Sequence, residues 1–255
     1  MNTKPILASI LLLSLLSACG NKQQNETEKS AADSLSYTMD SVGIRKGYPS
    51  GDTAEASIVY PVIQGQSPLA DTLRHYVQQN FRNATSAKAG LDSFIQEYES
   101  FAKEMEGIGP AHGWAYQSKS TILPPYKSMY TLSSFAYEYT GGAHGNYGTV
   151  LRTFNQQGLT IHWKDILLAN GESALQPILQ KSIAQHLSLP APTPVAELGL
   201  LIEGNVIPLP QSFALTEKGL RLVYTPYEIA PYAVGEIDII IAYKDLQAVI
   251  KQEYL

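Results

Sequence analysis

Lys127-Ser-Met-Tyr-Thr-Leu-Ser-Ser-Phe-Ala-Tyr-Glu-Tyr-Thr140, then Gly141-Gly-Ala-His-Gly145, then Asn146-Tyr-Gly-Thr-Val-Leu-Arg-Thr-Phe154 is the stretch on which the fold turns. Two runs rich in Thr, Tyr and other strand-favouring residues flank a glycine-rich break, which reads as two strands joined by a hairpin. Trp114 to Leu123 is a third such run, separated from the run that begins at Lys127 by Pro124-Pro125, so the three form an antiparallel meander. Four glycines between Gly141 and Gly148 let the hairpin tip adopt positive φ or approach another group closely.

On the N-terminal side of the meander, Ser57 to Ile63 is β-branched and aromatic, and Pro61 inside it suits an edge or terminal strand. Ser67-Pro68 reads as an N-cap with proline at the first helical position. Leu69, Leu73, Tyr76, Val77 and Phe81 recur at helical spacing. After a break at 85–88, Leu91, Phe94, Ile95, Tyr98, Phe101, Ala102 and Met105 do so again until Gly107. The aromatic stripe on this second helix is read as core packing, because that spacing is what a buried face demands.

On the C-terminal side, Gly158 and Asn170-Gly171 bracket Leu159 to Leu168. A third amphipathic helix runs over Ala174 to Leu187, with Pro177 tolerable near its first turn. Phe213 to Thr216, a turn at 217–219 and Leu220 to Tyr224 follow. Next come a Pro- and Tyr-rich loop to Gly235, a strand over Ile237 to Ile241 and a closing helix from about Lys244 to Gln252. The expected class is α+β: antiparallel sheets packed with amphipathic helices, as two small subdomains, 56–140 and 141–255, forming one unit.

The front of the chain is different. Lys4 precedes an apolar run from Ile6 to Leu16 and then Leu16-Ser17-Ala18-Cys19, the order of a signal peptide, over 1–18. That run is short of the roughly 20 apolar residues a membrane-spanning helix needs. Leu-Ser-Ala-Cys resembles the lipobox of bacterial lipoproteins, which implies acylation of Cys19 and cleavage before it. Cys19 is the only cysteine, so no disulfide holds the domain. Residues 19–55 are polar, without a sustained period, and are expected to be a flexible tether reaching on the order of 30 Å. The expected address is therefore a membrane-anchored envelope lipoprotein. Gly20 in place of an inner-membrane-retaining aspartate favours the outer membrane. The net charge of −5, with no basic stripe, removes the footprint that nucleic-acid binding requires.

Two segments do not read as generic core: Tyr137 to Gly148, and Tyr224-Thr-Pro-Tyr-Glu-Ile-Ala-Pro-Tyr-Ala-Val-Gly235. With Phe154-Asn155, Gly158, Trp163-Lys-Asp165 and Phe213-Ala-Leu-Thr216, they resemble the extracellular domain of RsiV-type anti-sigma factors and the non-catalytic N-terminal domain of PdaC-like polysaccharide deacetylases, over roughly residues 55–250. RsiV-type domains bind lysozyme, so the resemblance implies a receptor without a catalytic role. A sigma-binding segment, a transmembrane helix and a deacetylase domain like those of such proteins are not expected here.

The leading expectation is a binding module for a cell-wall glycan (peptidoglycan) or a cell-wall-acting protein such as lysozyme, with no cofactor and no metal. Tyr227 and Tyr232, with Glu228 between them, and His144 are the candidate ligand-binding residues, since exposed rings stack on sugar faces and anchor protein contacts. The bland alternative is that the rings pack the loop on the sheet, Glu228 hydrogen-bonds loop amides and His144 fixes the hairpin tip. A competing reading is a metal-dependent or acid/base hydrolase in which His112, Glu138, His162 and Asp165 converge on His144. No HxH, HExxH or G-x-S-x-G spacing supports it. A structural or assembly lipoprotein is the third reading.

Overall fold

The computed structural model describes residues 35–109, 111–190 and 192–255. The signal segment 1–18, Cys19 and the tether as far as residue 34 lie outside the described residues.

The first sheet has five strands in the spatial order β1 (Tyr37–Gly47), β2 (Thr53–Ile63), β3 (Trp114–Ile122), β4 (Met129–Tyr139) and β5 (Asn146–Asn155). β3, β4 and β5 form the antiparallel meander, but β2 and β3 run parallel. The wholly antiparallel expectation is thus corrected: a parallel pair cannot be closed by a tight turn and needs a crossover. Here α1 (Pro68–Gln79) and α2 (Ala87–Glu104) supply it.

β1 corrects the tether. Residues 37–47 pair with β2 along their whole length, from Tyr37↔Ile63 to Gly47↔Thr53. Most of their side chains face solvent, while Tyr37, Val42 and Ile44 pack on the core. An edge strand held chiefly by its ladder has no need of a continuous apolar face, which is why composition alone hid it. β1 also moves β2 to an interior position. Pro61 is accommodated because the β2–β3 ladder ends at Val59↔Lys119, leaving only β1 alongside it.

Both crossover helices begin on serine caps. Ser67 Oγ accepts the Ala70 N–H at 3.1 Å, with Pro68 first in the helix, and Ser86 Oγ accepts the Ala89 N–H at 3.2 Å. Their apolar faces supply Leu69, Leu73 and Val77, then Leu91, Phe94, Ile95 and Tyr98, to the core over the sheet. Each such side chain, fully buried, contributes roughly 1.5–3 kcal/mol.

The second sheet is antiparallel, in the order β6 (Ser212–Thr216), β7 (Gly219–Tyr224), β8 (Ile237–Ile241). α4 (Gly171–His186) covers it with Leu175, Leu179 and Ile183. The helix starts at Gly171, so Pro177 stands in its second turn and cannot donate to the carbonyl four residues back. The closing helix does not form. The end of the chain has two 3-10 turns, Tyr243–Asp245 and Gln252–Tyr254. The backbone between them is committed elsewhere: Val249 O accepts the Leu168 N–H and the Lys251 N–H donates to Ile166 O, both at 2.9 Å. Those bonds anchor α3 (Trp163–Ile166) and its flank to the C-terminal segment.

The two sheets meet at β5. The Thr153 hydroxyl donates to Phe213 O at 3.0 Å, Leu151 packs with Ala214 and Val223, and Glu236 accepts from the backbone N–H and the hydroxyl of Thr149. A boundary at 140/141 would cut the β4–β5 hairpin. The α+β class and the two-part organisation stand, with the hairpin wholly in the first sheet.

Candidate functional site

The β4–β5 ladder ends at Glu138↔Asn146, which leaves 139–145 as the hairpin tip. Gly141 and Gly142 have φ of +99° and +97°, and a Cβ on Gly145 would lie 2.5 Å from the Tyr137 ring, so only glycine lets the tip fold down on that ring. The Tyr139 hydroxyl donates to Gly142 O at 3.1 Å. His144 Nδ1 lies 3.1 Å from Gly145 O. A carbonyl only accepts, so Nδ1 carries the proton and, in the neutral ring, Nε2 presents its lone pair.

The facing loop runs from Thr225 to Glu236. Glu228 holds its first turn: Oε2 accepts the Thr225 N–H at 2.9 Å and the Thr225 hydroxyl at 3.3 Å, and Oε1 accepts the Gln211 N–H at 2.9 Å. The Tyr227 N–H donates to Ala230 O at 2.9 Å. Within this turn Tyr227 takes φ +71°, and its side chain is 57% exposed. Pro231 leads into a 3-10 turn, Tyr232–Val234, closed by Gly235.

Loop and tip meet through aromatic rings. Tyr232 lies flat on His144, with centroids 3.7 Å apart and planes 16° apart. Tyr147 meets Tyr232 edge-on at 5.7 Å and 79°. The Tyr227 ring is 5.9 Å from that of Tyr232, and its hydroxyl stands 3.5 Å from His144 Nε2. Burial, then the phenols of Tyr147, Tyr137 and Tyr227, push the Tyr232 hydroxyl up, which keeps it a hydrogen-bond donor.

Three of the four candidate side chains, His144, Tyr227 and Tyr232, are therefore brought together from residues more than 80 positions apart. Glu228 is not presented with them. It braces the loop, as the bland reading had it. Tyr147 and Tyr137 were not singled out, although they face each other across the hairpin as a cross-strand pair. The alternation of Tyr137, Tyr139 and Tyr147 around the glycines was the available signal.

Two of the four partners proposed for hydrolase chemistry, Glu138 and Asp165, have their side chains engaged elsewhere. Glu138 pairs with Arg82 at 2.5 Å, and Asp165 accepts the His162 N–H at 2.8 Å. Among the described residues no group of three His, Cys, Asp or Glu side chains could hold a metal ion. The arrangement offers ring faces, phenol donors and an imidazole acceptor on one exposed surface.

Residues 50–147 match the family described as deacetylase PdaC, and residues 164–244 match a protein family of unknown function, DUF3298. A DUF3298-family protein from Bacteroides fragilis NCTC 9343 is 21% identical and superposes with a TM-score of 0.70, covering 85% of this chain and 94% of its own. A DUF3298-family protein from Pseudomonas aeruginosa PAO1 is 17% identical, with a TM-score of 0.60 and coverages of 88% and 97%. At these identities the likeness is one of fold, and it spans most of the chain. No curated protein matches the chain. His144 and Tyr147 lie at the end of the PdaC match and Tyr227 and Tyr232 within the DUF3298 match, so the aromatic cluster draws on both matched regions.

Proposed function

We propose that this chain is a lipid-anchored envelope receptor, tethered through Cys19 to the outer membrane. Its ligand surface is the cluster of Tyr227, Tyr232, His144 and Tyr147, and its ligand is peptidoglycan or a protein that acts on cell wall, such as lysozyme. The observation that carries this reading is Tyr227. A non-glycine residue at φ +71° costs on the order of 1–3 kcal/mol, and a tyrosine left 57% exposed recovers little of that by burial. Strain without burial in an over-determined turn suits a ring held out for a partner. Glu228 and two prolines make the loop rigid in advance, which lowers the ordering cost of binding. Stacked tyrosines supply large contact area with few rotatable bonds, and they suit sugar faces and protein hot spots alike. The acidic balance of the chain, −5, favours basic partners among the proteins. The absence of a hydrolytic role is part of the proposal, supported by the engagement of Glu138 with Arg82 and of Asp165 with the backbone N–H of His162.

The test is equilibrium binding of the full chain, solubilised in detergent, to c-type lysozyme and to peptidoglycan fragments, repeated with Tyr227→Ala and Tyr232→Ala. Micromolar or tighter binding to one ligand is expected, weakened about tenfold or more by either change, the equivalent of about 1.4 kcal/mol. Failure to bind either ligand, or binding indifferent to both changes, refutes the reading.

A further inference from the structure

A cleft of about 770 Å³ runs along the joint between the two sheets, within the size range of small-ligand sites. One wall is β5, the other is the segment 160–164 together with the start of β6, and the 225–228 turn forms an end. The formal charges lining it are Arg152, Lys164 and Glu228, with His162 beside them. Glu228 has both oxygens committed to loop donors. Neither Arg152 nor Lys164 takes part in any ion pair among the described residues. Two positive side chains against the one carboxylate, Glu228, leave the lining with a net formal charge of +1 inside a concave, part-apolar surface, in a chain whose net charge is −5.

Arg152 is also positioned. Its guanidinium lies 5.0 Å from the centroid of Tyr76, and that ring rests at 5.2 Å on Phe154, which is fully buried. The cation–π contact restrains the guanidinium, and none of its N–H groups is taken by a hydrogen bond or ion pair among the described residues, so it can receive a carboxylate. Trp163, fixed by donation from Nε1 to Pro210 O at 2.9 Å, adds an aromatic surface to the same cleft.

We propose that this cleft is a second binding site, for a carboxylate-bearing small ligand, with Arg152 as the anchor and Lys164 as the supporting charge. It uses none of the aromatic side chains of the proposed receptor surface. Two sources carry the required chemistry: an acidic sugar and a peptide C-terminus.

The experiment is calorimetric titration of the full chain in detergent with N-acetylmuramic acid, with N-acetyl-D-alanyl-D-alanine and with neutral N-acetylglucosamine, at low and high salt. The expected result is saturable binding of one acid and not of the neutral sugar. That binding weakens about tenfold or more in Arg152→Gln, weakens to a smaller degree in Lys164→Gln, falls with salt, and is unchanged in Tyr232→Ala. The acid that binds identifies the source. Thermal melts check each variant, and Lys164→Gln, with its exposed side chain, keeps the test open if Arg152→Gln does not fold. Equal binding of acid and neutral sugar, no binding of either acid, or indifference to both cleft substitutions overturns the proposal. Loss of acid binding in Tyr232→Ala also overturns it, by moving the site to the aromatic cluster.

Discussion

Two aromatic clusters in this molecule use the same side chains to opposite ends. Between α2 and the first sheet, Phe94 and Tyr98 are fully buried, Trp114 packs on both, and Phe101 stacks on Trp114 at 5.2 Å. Arg82 closes that cluster by lying over Phe94 and Tyr116, at 5.1 and 5.0 Å, while pairing with Glu97 and Glu138. At the hairpin tip, rings at similar separations leave Tyr227 more than half exposed and on strained backbone. Ring proximity is therefore no guide to role. Both clusters hold a non-glycine residue at positive φ, Arg82 at +56° and Tyr227 at +71°; what separates them is that Arg82 is largely buried and Tyr227 is not.

The largest effect that can break this comparison is on stability. Phe94→Ala is expected to destabilise the fold by about 3–5 kcal/mol through lost transfer energy and a residual cavity, whereas Tyr232→Ala costs about 1 kcal/mol or less. Denaturant titration of both measures the gap, and equal losses would mean that the exposed cluster is core after all.

A smaller effect sharpens the account of the strained turn. At φ +71° glycine carries no Cβ penalty, so Tyr227→Gly should be more stable than Tyr227→Ala by about 1 kcal/mol, with ligand binding lost in both. If alanine is the more stable of the two, the turn is not held as described and the functional argument from strain fails.

The smallest effect lies inside the buried cluster. The Tyr98 hydroxyl is buried without a hydrogen-bond partner among the described residues. Tyr98→Phe removes that polar group and keeps the ring, so the melting midpoint should rise, by the equivalent of about 1 kcal/mol. A fall would point to an unrecognised partner for the hydroxyl.

Much of this was legible along the chain. Ser67-Pro68, the i, i+3, i+4 spacing of Leu91, Phe94, Ile95 and Tyr98, and the glycine break at 141–145 each carry a local physical cause, and each led to the element found there. β1 was missed because an edge strand needs no apolar period. The closing helix was expected in error because Leu168 and Ile166 capture the backbone of 249–251, a competition invisible to local propensity. The candidate site was half legible. Glycines and tyrosines marked His144, Tyr227 and Tyr232, but the assignment of Glu228 to the loop rather than to a ligand came from its hydrogen bonds.

By itself the sequence determined the three long helices and their buried faces, the meander, the α+β class and the two segments of unusual composition, because those follow from periods of 3.6 and 2 and from turn chemistry acting over a few residues. Only the tertiary structure decided that β2 and β3 run parallel, that the hairpin tip lands on the 225–236 loop, and that Arg152 stands unpaired in a cleft. Each of these depends on contacts between residues tens of positions apart, whose energies no local window contains.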